Sequence, residues 1–310
     1  MKYISIVTPC YNEQDNIMEV YKQVKEIFDE LKEYKYEHIF IDNRSKDNTY
    51  SILKEIAKND KNVKLIRNAR NFGLIKSPVY GMLQASGDAI ILLVADLQDP
   101  PSMIKDFLKK WEEGFKVVLG VKTNSEEYPM MFLARKFYYN VISKLSDVEL
   151  TKNNTGFGLY DRAVIEIIRK VDDPYPYFRG LVSEIGFESA KIEYLQPVRK
   201  RGISSANFYV LYDLGMLGIT SHTKVPLRIM TMSGFVLSIL SFVLALIYLV
   251  SKLFFWDLFA PGSASILIGI FLFSSIQLFF LGIIGEYIAF MHTHLLKRPL
   301  VVEDERINFD

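Results

Sequence analysis

Hydrophobic positions in the N-terminal part of the chain switch between two rhythms. Residues 3–9 (YISIVTP) form a short β-branched run that reads as a buried strand. Residues 13–34 then place Ile17, Val20, Tyr21, Val24, Ile27, Phe28 and Leu31 at helical spacing. A second strand is predicted over 36–41, ending at Asp42, and Asp47 and Asn48 can cap a helix over 51–59. A third strand follows at 63–67, a third helix at 77–86, and a fourth strand at 89–94. That last run, AIILLV, is wholly apolar, as expected at the centre of a parallel sheet. Alternating strand and helix predicts an α/β fold, a mostly parallel sheet with helices on both faces. Such sheets bind ligands at the carboxyl ends of their strands. The polar clusters fall there: Tyr11-Asn12-Glu13, Asp42-Asn43, Arg70-Asn71 and Asp96-Leu97-Gln98-Asp99.

The rhythm changes near Ser221. Residues 229–250 carry no charge, and a second uncharged run covers 258–285, broken at its start by Pro261 and Gly262. Each is long enough to cross a hydrocarbon core of about 30 Å as a helix. Two buried helices of a soluble core are the alternative, but such helices rarely lack a charged face over this length. Two spans put both ends of the chain on one side. Lys224, Arg228, Lys297 and Arg298 flank that side, whereas the loop between carries only Lys252 and Asp257, so the N-terminal region is expected in the cytoplasm of a multi-pass inner-membrane protein. The start, MKYISIVTPCYNE, does not read as a signal peptide. Cys10 is the only cysteine, which excludes an intrachain disulfide. Lys+Arg 37 against Asp+Glu 36 gives no hint of nucleic-acid binding.

Several clusters carry candidate chemistry. Asp96 and Gln98, just past a central strand, offer oxygens to a magnesium or manganese ion bridging a diphosphate. Asp99 lies close by, although Asp99 and Ser102 can instead cap a helix starting near Pro100-Pro101. Asp42 can accept from a base or ribose, or close an Asx turn through Asn43 to Ser45. Arg70-Asn71-Phe72-Gly73 offers a cation and a tight turn near a diphosphate, or simply a solvated arginine. There is no GxGxxG or GxxxxGKS loop, against a dinucleotide enzyme or P-loop ATPase. His38, His222, His292 and His294 lack metal spacing, and Cys10 reads as a packed thiol. Residues 128–145 and 207–217 interleave aromatic and basic or apolar residues, as interfacial helices or as ordinary core packing.

The ordered set TPCYNE, IDNRSKD, RNFG, ADLQDPP, FRGL and RKRGISS, followed by two apolar runs, resembles the polyprenyl-phosphate glycosyltransferases of the family 2 (GT-A) class. The relatives of that class include dolichol-phosphate mannose synthases and bacterial enzymes loading glucose or aminoarabinose onto undecaprenyl phosphate. The resemblance implies a GT-A sheet followed by two transmembrane helices, and transfer of one sugar from a UDP- or GDP-linked donor to a polyprenyl phosphate. It divides the chain into a cytoplasmic domain (1–205), a juxtamembrane segment (206–226), two spans (227–290) and a cytoplasmic tail (291–310). It implies a donor site of Pro9, Tyr11, Asn12, Glu13, Asp42, Arg70, Asn71, Gly73 and Asp96, and a metal pair of Asp96 and Gln98. Arg179, Arg201 and Ser204 would contact phosphate of donor or acceptor. A homo-oligomer would fit the family.

The chain departs from the family at Asn43, Val94, Ser205 and Gly156, where the usual residues are Asp, Asp, Lys and, in many relatives, Asp. A lost base need not stop the reaction. A phosphate monoester has a second pKa of about 6, so a lipid phosphate is already largely a dianion at neutral pH. Cations then matter more, and Arg70, Arg179, Arg199, Lys200 and Arg201 are candidates, with Asp96 and Arg201 as catalytic groups. Glu184 is a candidate accessory carboxylate, whereas Asp161 reads as paired with Arg162 or exposed. Two other functions share parts of this pattern. A processive polysaccharide synthase usually carries QxxRW, where this chain reads QPVRK at 196–200. A non-catalytic membrane scaffold with a degenerate transferase domain would account for the missing carboxylates.

Overall fold

The structure is a computed structural model that describes residues 1–123, 151, 153–197, 216–217, 220, 225–254 and 263–309. Eight strands form one sheet in the order β7-β5-β6-β4-β1-β2-β3-β8. At its centre, β1 (Lys2–Cys10), β2 (Tyr34–Asp42), β3 (Val63–Asn68) and β4 (Ala89–Leu92) are parallel. On one flank β6 (Gly158–Asp161) runs antiparallel to β4 and to β5 (Val117–Lys122), and β5 pairs in parallel with β7 (Ser189–Tyr194).

The central strands are buried on both sides, so their side chains alternate between two cores. Ile4, Ile6, Phe40, Leu65 and Ile91 face the first core with α1 (Ile17–Glu30), α2 (Thr49–Asn59) and α4 (Ile104–Glu112). Val7, Ile39, Ile41, Ile66 and Ile90 face the second, with α3 (Gly73–Gln84), α5 (Arg162–Val171) and α6 (Phe178–Ile185). Helix α3 crosses the sheet so closely that a Cβ on Gly81 would meet Val7 Cγ1 at 2.8 Å. This approach carries the first turn of α3 to the carboxyl ends of β1 and β2.

Element boundaries differ from the expected ones where side-chain bonds decide them. Helix α3 starts at Gly73, four residues before the expected Ser77, and holds Pro78 inside it. Asn48 sits at the N-cap of α2 without a side-chain capping bond; Asp47 Oδ1 accepts from Thr49 N at 3.0 Å instead. Asp161 is neither exposed nor paired with Arg162. It caps α5, with Oδ1 accepting from Ala163 N at 2.9 Å and Oδ2 from Trp111 Nε1 at 2.8 Å. Arg162 turns to the carbonyls of Gly87 and Ala85.

Two long helices follow, α7 (Val225–Phe254) and α8 (Ser263–Leu295). Large apolar side chains lie exposed along both, among them Phe235, Val236 and Ile247 on α7 and Leu278, Phe279 and Ile288 on α8. Among the described residues one segment, Ile276–Leu295, is long and apolar enough to cross a membrane. Residues 128–145 and most of 207–217, expected as interfacial helices, lie outside the described residues. The chain beyond α8 does not trail off as a tail. Glu303–Ile307 forms β8, antiparallel to β3 at the sheet edge. Lys54 Nζ meets Glu305 Oε1 at 2.7 Å, Tyr80 OH donates to Glu303 at 2.9 Å, and Arg44 pairs with Asp304. Asn308 Nδ2 donates to the carbonyls of Ala57 and Val63.

His38 lies fully buried in β2, its Nε2 2.9 Å from Thr8 Oγ1, and burial pushes the imidazole down to about 3. In the unfolded chain it titrates near the usual value of about 6.5, so between those values the unfolded state binds more protons. Stability contributed by the neutral ring is therefore present above about pH 6.5 and falls by up to about 1.4 kcal/mol per pH unit below it. The melting temperature of the detergent-solubilised chain should drop more steeply on acidification than that of His38→Gln. Identical slopes for the two proteins would remove His38 as the cause.

Candidate active site

The loops leaving β1 and β2 are tied to each other before any ligand is considered. Asn12 N donates to Ser45 Oγ at 2.9 Å, Lys46 N to Asn12 Oδ1 at 2.8 Å, and Glu13 N to Thr49 Oγ1 at 2.8 Å. Asn12 and Arg44 both take positive φ, 56° and 64°, which short polar or well-anchored residues tolerate only when their surroundings hold them. Asp42 is fully buried and accepts from Ser45 N at 3.1 Å, closing the Asx turn. Burial raises its carboxyl above the ordinary range, opposed by the Ser45 bonds and by Arg67 at 3.9 Å.

The second tie runs through Asn43. Its Nδ2 donates to Asn71 Oδ1 at 2.8 Å and to Gly73 O at 3.2 Å, while its Oδ1 accepts from Asn68 Nδ2 and from Phe72 N. Asn71 Oδ1 also accepts from Gly73 N at 2.8 Å, and Gly73 turns the chain at φ 86°. A carboxylate at position 43 has no hydrogen to donate, so this wiring requires the amide. That accounts for the departure from Asp. Gly156 has a backbone reason as well: its φ of 97° would strain any side chain.

Past β4 the chain presents Asp96 half-buried, with Oδ1 accepting from Gln98 N at 3.1 Å. Leu97 between them is left-handed at φ 59°, which throws the Asp96 and Gln98 side chains out of strand alternation. Asp99 caps nothing here. It is buried, accepts from Tyr194 OH at 2.5 Å, and is pushed up to about 6 by burial, opposed by Tyr194 and Lys122. It thus ties the Asp96 loop to β7.

These parts enclose a cleft of about 740 Å³. Pro9, Tyr11, Asn12, Glu13, Gly73, Asp96 and Arg179 of the expected site all line it, as does Asn43. Cys10 lines it too, but its sulfur is buried and burial pushes the thiol well above its ordinary value. Asp42 is buried behind the wall, and Asn71 lies exposed outside the lining, where it accepts from Asn43 Nδ2. Arg70 lies outside the lining, exposed, stacked at 4.0 Å on the Phe72 ring and donating to Asn71 O. Glu184 is exposed on α6, away from the lining. Arg199, Lys200, Arg201 and Ser204 lie outside the described residues. Much of the remaining lining, including Ile75, Pro78, Met82, Leu92, Val94 and Phe178, is apolar, and of these only Val94, a departure from the family pattern, and Phe178, the first residue of FRGL, stood out in the sequence.

Among the described residues no three His, Cys, Asp or Glu side chains gather to cage a metal. One carboxylate with a neighbouring amide suits a hard cation that takes most of its oxygens from a bound diphosphate and water. Of the expected metal pair, Asp96 lines the cleft and Gln98 does not.

Replacing the donor amide should loosen the wall. Asn43→Asp is expected to cost about 1–3 kcal/mol of stability through unsatisfied buried groups and to speed hydrogen exchange at residues 68–73. Unaltered exchange there would mean that the turn is held by other contacts.

Residues 5–166 match the profile of "Glycosyl transferase family 2". The chain is 36% identical over 299 residues to an uncharacterized glycosyltransferase of Bacillus subtilis, covering 96% of this chain and 92% of that protein. It is 33% identical over 297 residues to the bactoprenol glucosyl transferase of Shigella phage SfII, covering 96% of each. Among solved structures, glucosyl-3-phosphoglycerate synthase of Mycobacterium tuberculosis, in complex with Mn2+, UDP and phosphoglyceric acid, aligns with a TM-score of 0.47. The identity there is 16%, over 71% of this chain and 76% of that one. With more than half of its length inside the family profile and relatives above the 30% level along nearly all of it, the chain is a glycosyltransferase and belongs to glycosyl transferase family 2.

Proposed function

We propose that this chain transfers a single sugar from a UDP- or GDP-linked donor to a polyprenyl phosphate at the cytoplasmic face of a membrane, with inversion and with Mg2+ or Mn2+. The observation that carries the reading is the 740 Å³ cleft, which gathers Pro9 to Glu13, Asp96 and Arg179 at the carboxyl edge of the sheet. The acceptor class rests on the bactoprenol glucosyl transferases, aligned along nearly the whole chain.

The exposed apolar side chains of α7 and α8 support membrane attachment. A single crossing would leave residues 303–307 on the far side from β3, yet β8 is hydrogen-bonded to β3. That pairing supports an even number of crossings, with α7 as the counterpart of Ile276–Leu295. Thirty residues of helix reach on the order of 45 Å, enough for a core of about 30 Å. Lys224, Arg228, Lys297 and Arg298 on the domain side favour the cytoplasm.

In this reading Pro9, Tyr11, Asn12 and Glu13 form the nucleoside wall, kept rigid by Asp42 and the 45–49 loop. Asp96 and Gln98 would hold the cation, which supplies positive charge to the departing diphosphate. An oxygen of the lipid phosphate bonds to the anomeric carbon from the face opposite the nucleotide. The bond from that carbon to the diphosphate oxygen breaks, and its electron pair leaves with the nucleoside diphosphate. The attacking dianion needs no base, so Glu184 is given no step. Arg179, fixed by its bond to Asn154 O at 2.9 Å, faces the developing negative charge, and Arg201 and Ser204 join it as the family resemblance implies.

Asp96→Asn should lower transfer into organic-extractable lipid by at least about a hundredfold without changing the melting temperature; near-normal transfer would misplace the metal pair. For topology, Cys10→Ser gives a cysteine-free background. A membrane-impermeant maleimide should label Asp257→Cys from outside intact cells and Asp304→Cys only after lysis. Equal labelling of both from outside would reject the two crossings.

A further inference from the structure

The strand that closes the sheet edge reaches the turn behind the cleft. In β8, Glu305 and Glu303 face the adjacent β3 residues Arg67 and Asn68, so Asp304 is the extra residue of a bulge. A bulge re-aims the side chain it carries, and Asp304 turns to two cations. Its Oδ2 pairs with Arg44 Nη1 and stands 3.7 Å from Arg67 Nη1. Arg44 is the left-handed residue of the turn from Asp42 to Ser45. Arg67 is the neighbour of Asp42 across the β2–β3 ladder, with its Nε 3.9 Å from Asp42 Oδ2. One cation is thus part of the Asp42 turn and the other is the ion partner of its carboxylate.

Arg67 depends on its surroundings for its position. Its buried Nε makes no hydrogen bond among the described residues, and the guanidinium stacks 3.9 Å from the centre of the Tyr50 ring. The Tyr50 hydroxyl donates to Glu305, so β8 steadies Arg67 twice, directly through Asp304 and indirectly through Tyr50. From Asp42 the contacts continue to the cleft. Asp42 accepts from Ser45 N, Ser45 Oγ accepts from Asn12 N, and Asn12 lines the cleft beside Tyr11 and Glu13. Without the Asp304 carboxylate, two guanidinium groups lose a shared counter-ion and repel each other across this turn. That repulsion acts on a backbone already held at a φ of 64° at Arg44.

We propose that Asp304 is a positioning residue for the donor: by holding Arg44 and Arg67 it fixes the Asp42 turn, and through that turn Asn12 of the nucleoside wall. The inference rests on the reading of the cleft as the donor site. It gives a segment beyond α8 a part in binding the nucleotide, although that segment lines none of the cleft. The effect is modest in size, because the Arg44 and Asp304 side chains are 42% and 43% exposed and solvent and salt screen their charges.

The test titrates full-length chain in neutral detergent with UDP and with GDP, each with Mg2+. Asp304→Asn should bind the nucleotide that the unmodified chain prefers about threefold more weakly at low salt, the scale of one partly exposed ion pair. The deficit should shrink in about 1 M salt, which a purely steric role would not predict. In sugar transfer the same variant should raise the donor KM while leaving kcat and the acceptor KM unchanged, and hydrogen exchange at residues 42–46 should quicken. Glu303→Gln, on the same strand but bonded to Tyr80 and Arg306, should bind nucleotide as the unmodified chain does. Unaltered or tighter nucleotide binding by Asp304→Asn overturns the inference, as does an equal loss in Glu303→Gln, which would mean that loosening the sheet edge is enough. If the unmodified chain binds neither nucleotide, the proposed function fails and the inference falls with it; normal binding in the unmodified chain with no deficit in Asp304→Asn rejects the inference alone.

Discussion

The structure depends on burying β4-β1-β2-β3 on both faces. Once Ile6, Val7, Phe40 and Ile41 are committed to two opposed cores, the middle of β1, β2 and β4 is closed to water. Polar chemistry must leave at the strand ends, and parallel strands all end on the same side. The cleft is a consequence of that arrangement: Tyr11, Asn43 and Asp96 converge because the strands carrying them are parallel neighbours. Several of the polar residues that remain inside are paired. Glu37, for example, receives Ser5, Tyr3, Ser86 and Lys64, and these bonds outweigh the effect of burial and hold its carboxyl below the ordinary range.

The four departures from the family pattern do not share one explanation. Asn43 is a working part of the wall, because it donates and accepts at once where a carboxylate could only accept. Gly156 follows from a left-handed backbone. Val94 joins the apolar side of the cleft, so the position shapes the pocket without supplying charge. Ser205 lies outside the described residues. Two of the substitutions that made a degenerate transferase conceivable are thus accounted for by local hydrogen bonding and backbone geometry.

The alternation of strand and helix in the first hundred residues and the end of the sheet at which the cleft opens were legible because apolar runs and helical spacing are local signals. The clusters after β1 and β4 announced themselves as polar residues at the end of an apolar run. Less local features were not legible. The bond from Tyr194 to Asp99 joins residues 95 positions apart, and nothing near either hinted at it. The apolar wall is assembled from α3, β4 and the 176–178 segment, each of which reads as ordinary core. The edge strand 303–307, EDERI, alternates charge with charge, so hydrophobic periodicity has nothing to detect. Its place is fixed by side-chain bonds to Lys54, Tyr80 and Arg44 and by backbone pairing.

That edge strand has a consequence for biogenesis. A ribosome delivers β3 long before it delivers residues 303–307, with both long apolar helices made in between. During that interval the outer backbone groups of β3 stay open, a template for stray pairing with other chains. The last strand can dock only after the two helices have doubled back, so closure of the sheet waits on both of them. A nascent chain that mis-threads its helices is left with an exposed seam, the kind of flaw that quality-control proteases recognise.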